Sequence, residues 1–190
     1  SNDLKQAEIN FNKSIELKKD FFVAYYNLGN LFSDAGRYKE AEIFYKKAIE
    51  YKPDLLDALN NLGLAQEQLG DLDKAEESYN KIIEINPNYK DALLNKGKIL
   101  FMKGEYESSL EIYDSCNSAE TRAKSLISLY ALGRINEIYK RIEEYSKSGN
   151  KNIAIAAFAS FISTKEKKDT SYNFCNNPLD FIHFSNFNSI

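Results

Sequence analysis

The sequence predicts an all-α protein built from repeated antiparallel helix pairs, and three spacings predict it. Glycine returns every 34 residues on two ladders, Gly29–Gly63–Gly97 and Gly36–Gly70–Gly104, which use six of the eight glycines. Pro53 and Pro87 share that spacing. So do an aromatic ladder (Phe11, Tyr45, Tyr79, Tyr113) and a small-residue ladder (Ala7, Ala41, Ala75, Ser109). Such a period marks stacked supersecondary units, none of which buries its apolar face alone.

The elements follow in chain order. Residues 3–19 carry Ala7 and Phe11 in phase with Ala41 and Tyr45, so they read as the second helix of a partial unit. The first full unit is 22–53. Apolar spacing from Phe22 to Ala35 is helical, and Gly36 falls where a helix stop needs left-handed backbone. A second helix from about Lys39 to Tyr51 ends before Pro53, which bars αR at Lys52. Gly29 and Ala41 are small where paired helices approach closely. Tyr45 and its equivalents are expected to fill the space between successive units. Units 56–87 and 90–117 repeat the pattern, and 119–147 is a degenerate unit with its turn at Gly133. Residues 1–147 thus form the array.

Residues 148–168 hold an apolar terminal helix around NIAIAAFASFIST. Residues 169–190 form an aromatic tail, or the start of a following domain, with Phe174, Leu179, Phe181, Ile182, Phe184 and Phe187. The tail is expected to fold back and cap the outer side of the terminal helix, because an all-round apolar helix buries only its inner side against the preceding unit.

Composition excludes several classes. The 190 residues are 43% hydrophobic and 28% charged, as in globular chains. A net charge of -3 leaves no electrostatic footprint for nucleic acid or an anionic membrane, and no apolar run spans a bilayer. No signal peptide is visible, so a cytoplasmic location is expected, and the Ser-Asn opening without Met reads as a trimmed tag on an excised fragment. Cys116 and Cys175 have no metal-ligand spacing, and the single histidine, His183, lies among aromatics. The glycines are committed to turns and helix contacts, not to a phosphate loop. No catalytic residue, metal or cofactor is assigned.

The pattern resembles the tetratricopeptide repeat family. Tyr25, Leu28, Gly29, Gly36, Tyr38, Ala41, Tyr45, Ala48 and Pro53 carry the resemblance in the first full unit. Leu59, Leu62, Gly63, Gly70, Leu72, Ala75, Tyr79 and Pro87 carry it in the second. The third keeps Gly97, Gly104, Tyr106 and Tyr113 but has Ser109 for Ala and no closing Pro. The resemblance implies a right-handed superhelical solenoid whose first helices line a concave groove. It implies binding of an extended peptide or a partner protein there, without chemistry.

The residues expected to bind are Tyr26, Asn27 and Asn30 in the first unit, Asn60, Asn61 and Leu64 in the second, and Leu94, Asn95, Lys98 and Phe101 in the third. Asn27, Asn61 and Asn95 recur at one point of the groove. They either hydrogen-bond successive peptide groups of a bound chain, similar to the asparagine ladder of O-linked N-acetylglucosamine transferases, or bond within the scaffold. Co-chaperone repeats hold a C-terminal carboxylate with a two-carboxylate clamp. Here Asn30 and Asn61 fill its amide slots, but Tyr26, Asp91 and Asn95 stand in the basic ones, so that clamp fails.

The expected ligand is therefore an uncharged or weakly charged extended segment. The alternative function is the recognition arm of a longer enzyme (an oxygenase, glycosyltransferase or methyltransferase) with its catalytic domain beyond Ile190. Weak self-association is expected through the N-terminal half-unit, whose helix lacks its partner and makes Ile9, Phe11 and Ile15 candidates for exposure.

Overall fold

A computed structural model describes residues 2–116, 118–148 and 152–168. Among these are ten α-helices and no strand: α1 (Asn2–Leu17), α2 (Phe22–Asp34), α3 (Tyr38–Tyr51), α4 (Leu56–Gln68), α5 (Leu72–Ile85), α6 (Lys90–Met102), α7 (Tyr106–Cys116), α8 (Ala119–Ala131), α9 (Ile135–Lys147) and α10 (Ile153–Glu166). None is long and apolar enough to cross a membrane. The helices fall into two compact units, one ending at Lys103 and one beginning at Gly104. The aromatic tail expected as a cap, with Cys175 and His183, lies outside the described residues.

The turn signals act as the sequence requires. Gly36, Gly70, Gly104 and Gly133 all have left-handed backbone, with φ of 72°, 79°, 81° and 70°. Lys52 and Asn86, each just before a proline, are extended at φ -141° and -137°, and α3 and α5 stop there.

In the first unit α2 packs on α3, α3 on α4, α4 on α5 and α5 on α6. The glycine and tyrosine ladders prove to be one contact. A Cβ on Gly29 would sit 2.4 Å from Cε1 of Tyr45, and one on Gly63 would sit 2.7 Å from Cε1 of Tyr79. Each ring is therefore seated against the glycine backbone of its own helix pair. This contact adds to the expected role of Tyr45 in filling the space between units. Tyr45 belongs to a core cluster with Leu62 and Ala65 of the next pair, so the ring serves both packings. A buried polar line accompanies this core: Ser78 Oγ donates to Gln66 Oε1 at 2.8 Å, and Gln66 Nε2 donates to Glu42 Oε1 at 3.2 Å.

Helix α1 covers the α2–α3 cluster with Phe11 and Ile15, which are half-buried. The expectation that both are exposed is corrected, since a second helix still has the following pair to pack on. Ile9 and Leu17 remain exposed, at 57% and 83%, and any self-association through this end would use them.

The second unit uses different core chemistry. Counting from its turn glycine, Leu126 stands where Gly29 stands in the first unit, and Ile142 stands where Tyr45 stands. Both are buried, at 0% and 1% exposure, in one cluster with Leu129, Ile138, Ile155, Phe158 and Ile162. A side chain now occupies the first-helix position and an aliphatic one replaces the ring, so this pair packs side chain on side chain rather than ring on backbone. Arg141 ties α9 to α7 through two bonds to Asp114, at 2.6 and 2.8 Å, and also bonds Glu137. Ser118 and Thr121 form a reciprocal cap at the start of α8. Asn152 caps α10 and donates to the Ala119 carbonyl. Five consecutive residues of α10, Ile155 to Ala159, are buried, while Ile153 stays exposed.

Gly29→Ala tests the ring-on-backbone contact. Helix propensity alone favours Ala by roughly 0.5–1 kcal/mol, while overpacking costs about 1–3 kcal/mol. At 2.4 Å from an aromatic ring the clash wins, so thermal unfolding followed by circular dichroism should show a lower midpoint. An unchanged or raised midpoint means that the ring is not seated there.

Candidate peptide-binding groove

Helices α2, α4 and α6 touch in sequence, whereas α3 and α5 meet only sparsely. The first helices therefore form one inner wall of the first unit, and every residue expected to bind lies on it. Tyr26, Asn27, Asn30, Asn60, Asn61, Leu94, Asn95 and Phe101 are half-buried, while Leu64 and Lys98 are exposed.

The amides are joined across units. Asn61 Nδ2 donates to Asn30 Oδ1 at 3.0 Å and more weakly to the Tyr26 hydroxyl at 3.4 Å. Asn95 Nδ2 donates to Asn60 Oδ1 at 3.2 Å. Asn27 forms no side-chain hydrogen bond among the described residues. The rungs thus run Asn30–Asn61 and Asn60–Asn95, not along the 34-residue row. Part of the amide capacity is spent on the scaffold, and each donating Asn keeps its carbonyl oxygen for other partners.

One sequence difference explains the change of rung. Asn30 also accepts from the Tyr45 hydroxyl at 2.8 Å. Burial pushes that hydroxyl up to about 12, so it remains a donor at neutral pH. In the next unit Leu64 occupies the place of Asn30. Asn95 therefore reaches Asn60 instead, and the fully buried Tyr79 hydroxyl is left without a hydrogen-bond partner. Burial, with the Glu67 charge second, pushes the Tyr79 hydroxyl far up.

Charge in the groove is also partly spent. The Lys98 ammonium pairs with Glu67, whose side chain is almost fully buried. Asp57 accepts from the Tyr89 hydroxyl at 3.3 Å. Asp91 is exposed at the first turn of α6. Between α2 and α4 lies a notch of about 380 Å³, lined by Asn30, Ser33, Asp34, Tyr45, Asn61 and Leu64. Sequence reasoning did not include Asp34 or Tyr45 in the groove. The 34-residue spacing does signal Tyr45, but nothing in it shows that the hydroxyl reaches through to the inner wall.

Stacked helix pairs with glycine turns, a shared amide-lined wall and no strand among the described residues define an α-helical repeat scaffold. The tetratricopeptide repeat family models match residues 22–55, 56–89 and 78–111. The chain belongs to that family, with the match carried by residues 22–111. No curated protein matches it in sequence at a significant level.

Solved structures share the fold. YrrB, a TPR protein with an unusual peptide-binding site, is 18% identical over 90% of this chain and 91% of its own, with a TM-score of 0.66. The MamA protein is 19% identical over 87% and 84%, with a TM-score of 0.67. The first TPR of Spaghetti (RPAP3), bound to the HSP90 peptide SRMEEVD, is 22% identical over 59% and 95%, with a TM-score of 0.55.

The difference between Tyr45 and Tyr79 makes a paired prediction. Tyr45→Phe removes a made hydrogen bond and should cost about 1 kcal/mol in urea unfolding. Tyr79→Phe removes a hydroxyl with nothing to bond and should fall within about 0.5 kcal/mol of the parent, or stabilise it. Equal losses for the two variants reject the asymmetry.

Proposed function

We propose that this chain is a non-catalytic interaction scaffold that holds an extended segment of a partner protein along α2, α4 and α6. The observation that carries the reading is the continuous inner wall on which Asn30, Asn61, Asn60 and Asn95 are fixed in orientation by bonds across units. Amides oriented in this way present carbonyl oxygens and N–H groups to a peptide backbone at low entropic cost. Tyr26, Leu94 and Phe101 supply apolar contact, and Asn27 supplies an amide with its bonding capacity unspent. The peptide-binding site of YrrB and the HSP90 peptide on Spaghetti support the reading, since both lie on this fold.

The ligand differs from an acidic C-terminal tail. The three basic slots of the two-carboxylate clamp hold Tyr26, Asp91 and Asn95, and the groove's Lys98 is already paired with Glu67. A bound carboxylate would find Asp91 and no open ammonium.

A display library of random 12-residue peptides tests the reading. Peptides enriched on the parent protein should bind at least tenfold more weakly to an Asn27→Ala/Leu94→Ala variant, a loss of about 1.4 kcal/mol or more. Binding to Lys81→Ala, on the exposed face of α5, should be unchanged. Fluorescence polarisation reads both. Recovery of no binders, or of binders indifferent to the groove substitutions, overturns the proposal.

A further inference from the structure

We propose that the notch between α2 and α4 is a subsite for one cationic side chain, Arg or Lys, of the bound segment. This rests on the groove reading and adds the chemistry of one position. The notch is lined by Asn30, Ser33, Asp34, Tyr45, Asn61 and Leu64, and no basic residue lines it. At about 380 Å³ it lies near the lower end of ligand-pocket sizes, suited to one long side chain.

Its hydrogen-bond inventory is biased toward acceptors. The Asn30 carbonyl oxygen is occupied by Tyr45 and Asn61, so its Nδ2 is the one donor group this amide leaves to the notch. The same bonds turn the Asn61 nitrogen inward to the scaffold and leave Asn61 Oδ1 open. Ser33 stands beside the Tyr45 hydroxyl and bonds it, and Asp34 adds two carboxylate oxygens, which set the balance toward acceptors. A guanidinium brings five donors and no acceptor, and an ammonium three, so either matches this set where a carboxylate would not. Leu64 offers an apolar wall for the methylene stem.

Asp34 itself is otherwise unexplained. It is the last residue of α2, where the helix dipole disfavours a carboxylate. It is exposed, and among the described residues it forms no ion pair or side-chain hydrogen bond. Scaffold stability therefore gives no reason for a negative charge here, whereas a cationic ligand group does. A single cation is also compatible with a weakly charged segment.

The 12-residue library is selected in parallel on the parent protein and on Asp34→Asn. Because the exchange removes a charge from a helix C-terminus, the variant should fold at least as well. Parent-selected peptides should carry Arg or Lys at one aligned position, and Asp34→Asn selection should lose that preference. Replacing the basic residue by citrulline should weaken binding to the parent tenfold or more and to Asp34→Asn less than twofold. Groove-dependent peptides with no basic preference, or with one that survives Asp34→Asn, overturn the subsite and leave the groove reading standing. Absence of any groove-dependent peptide overturns both.

Discussion

An aromatic ring lying against a residue with no side chain is the constraint on which the first unit depends. Tyr45 on Gly29 and Tyr79 on Gly63 bring the two helices of a pair to a separation that no larger first-helix residue permits. The ring is large enough to reach from that contact into the next pair, where Leu62 and Ala65 complete its cluster. One side chain thus sets the spacing inside a pair and contributes to the stacking of the next. The period of 34 residues is the repeat of this contact.

The groove inherits its chemistry from the same side chain. A phenol lying across the first helix delivers its hydroxyl to the inner wall, where Asn30 accepts it. That bond orients the Asn30 amide, which then receives Asn61 from the following pair. Core packing, amide orientation and the acceptor-rich notch form one chain of cause. Where Leu64 replaces Asn30 the chain breaks, and a buried hydroxyl is left without a partner. A buried polar atom in that state is costly, and here the cost has a single identifiable origin.

The α8–α9 pair of the second unit is built without this contact. Leu126 and Ile142 replace the glycine and the ring, and they pack in a cluster with Leu129, Ile138 and Phe158. In the α8–α9 pair no phenol stands at the place of Tyr45. Arg141, held by Asp114 and Glu137, supplies a charged tie between α7 and α9 instead. The packing of this pair has changed, yet Gly133 keeps the left-handed backbone of the other turns.

The helix pairs, their turns and their family were legible in the sequence, because each rests on local physics. Left-handed backbone demands glycine at Gly36 and Gly70, and a proline shapes the residue before it at Lys52 and Asn86. Periodicity also put the residues expected to bind on the first helices α2, α4 and α6, since 34 residues return a side chain to the same helix face. Periodicity does not show which atoms meet across that wall. Asn27, Asn61 and Asn95 looked like one row, yet the bonds run from Asn30 to Asn61 and from Asn60 to Asn95. Asp34 lines the notch without any signal in the period. Those pairings depend on distances of about an ångström between different helices, set by how far Tyr45 reaches and by what Leu64 cannot accept. Such distances exist only once the helices have packed.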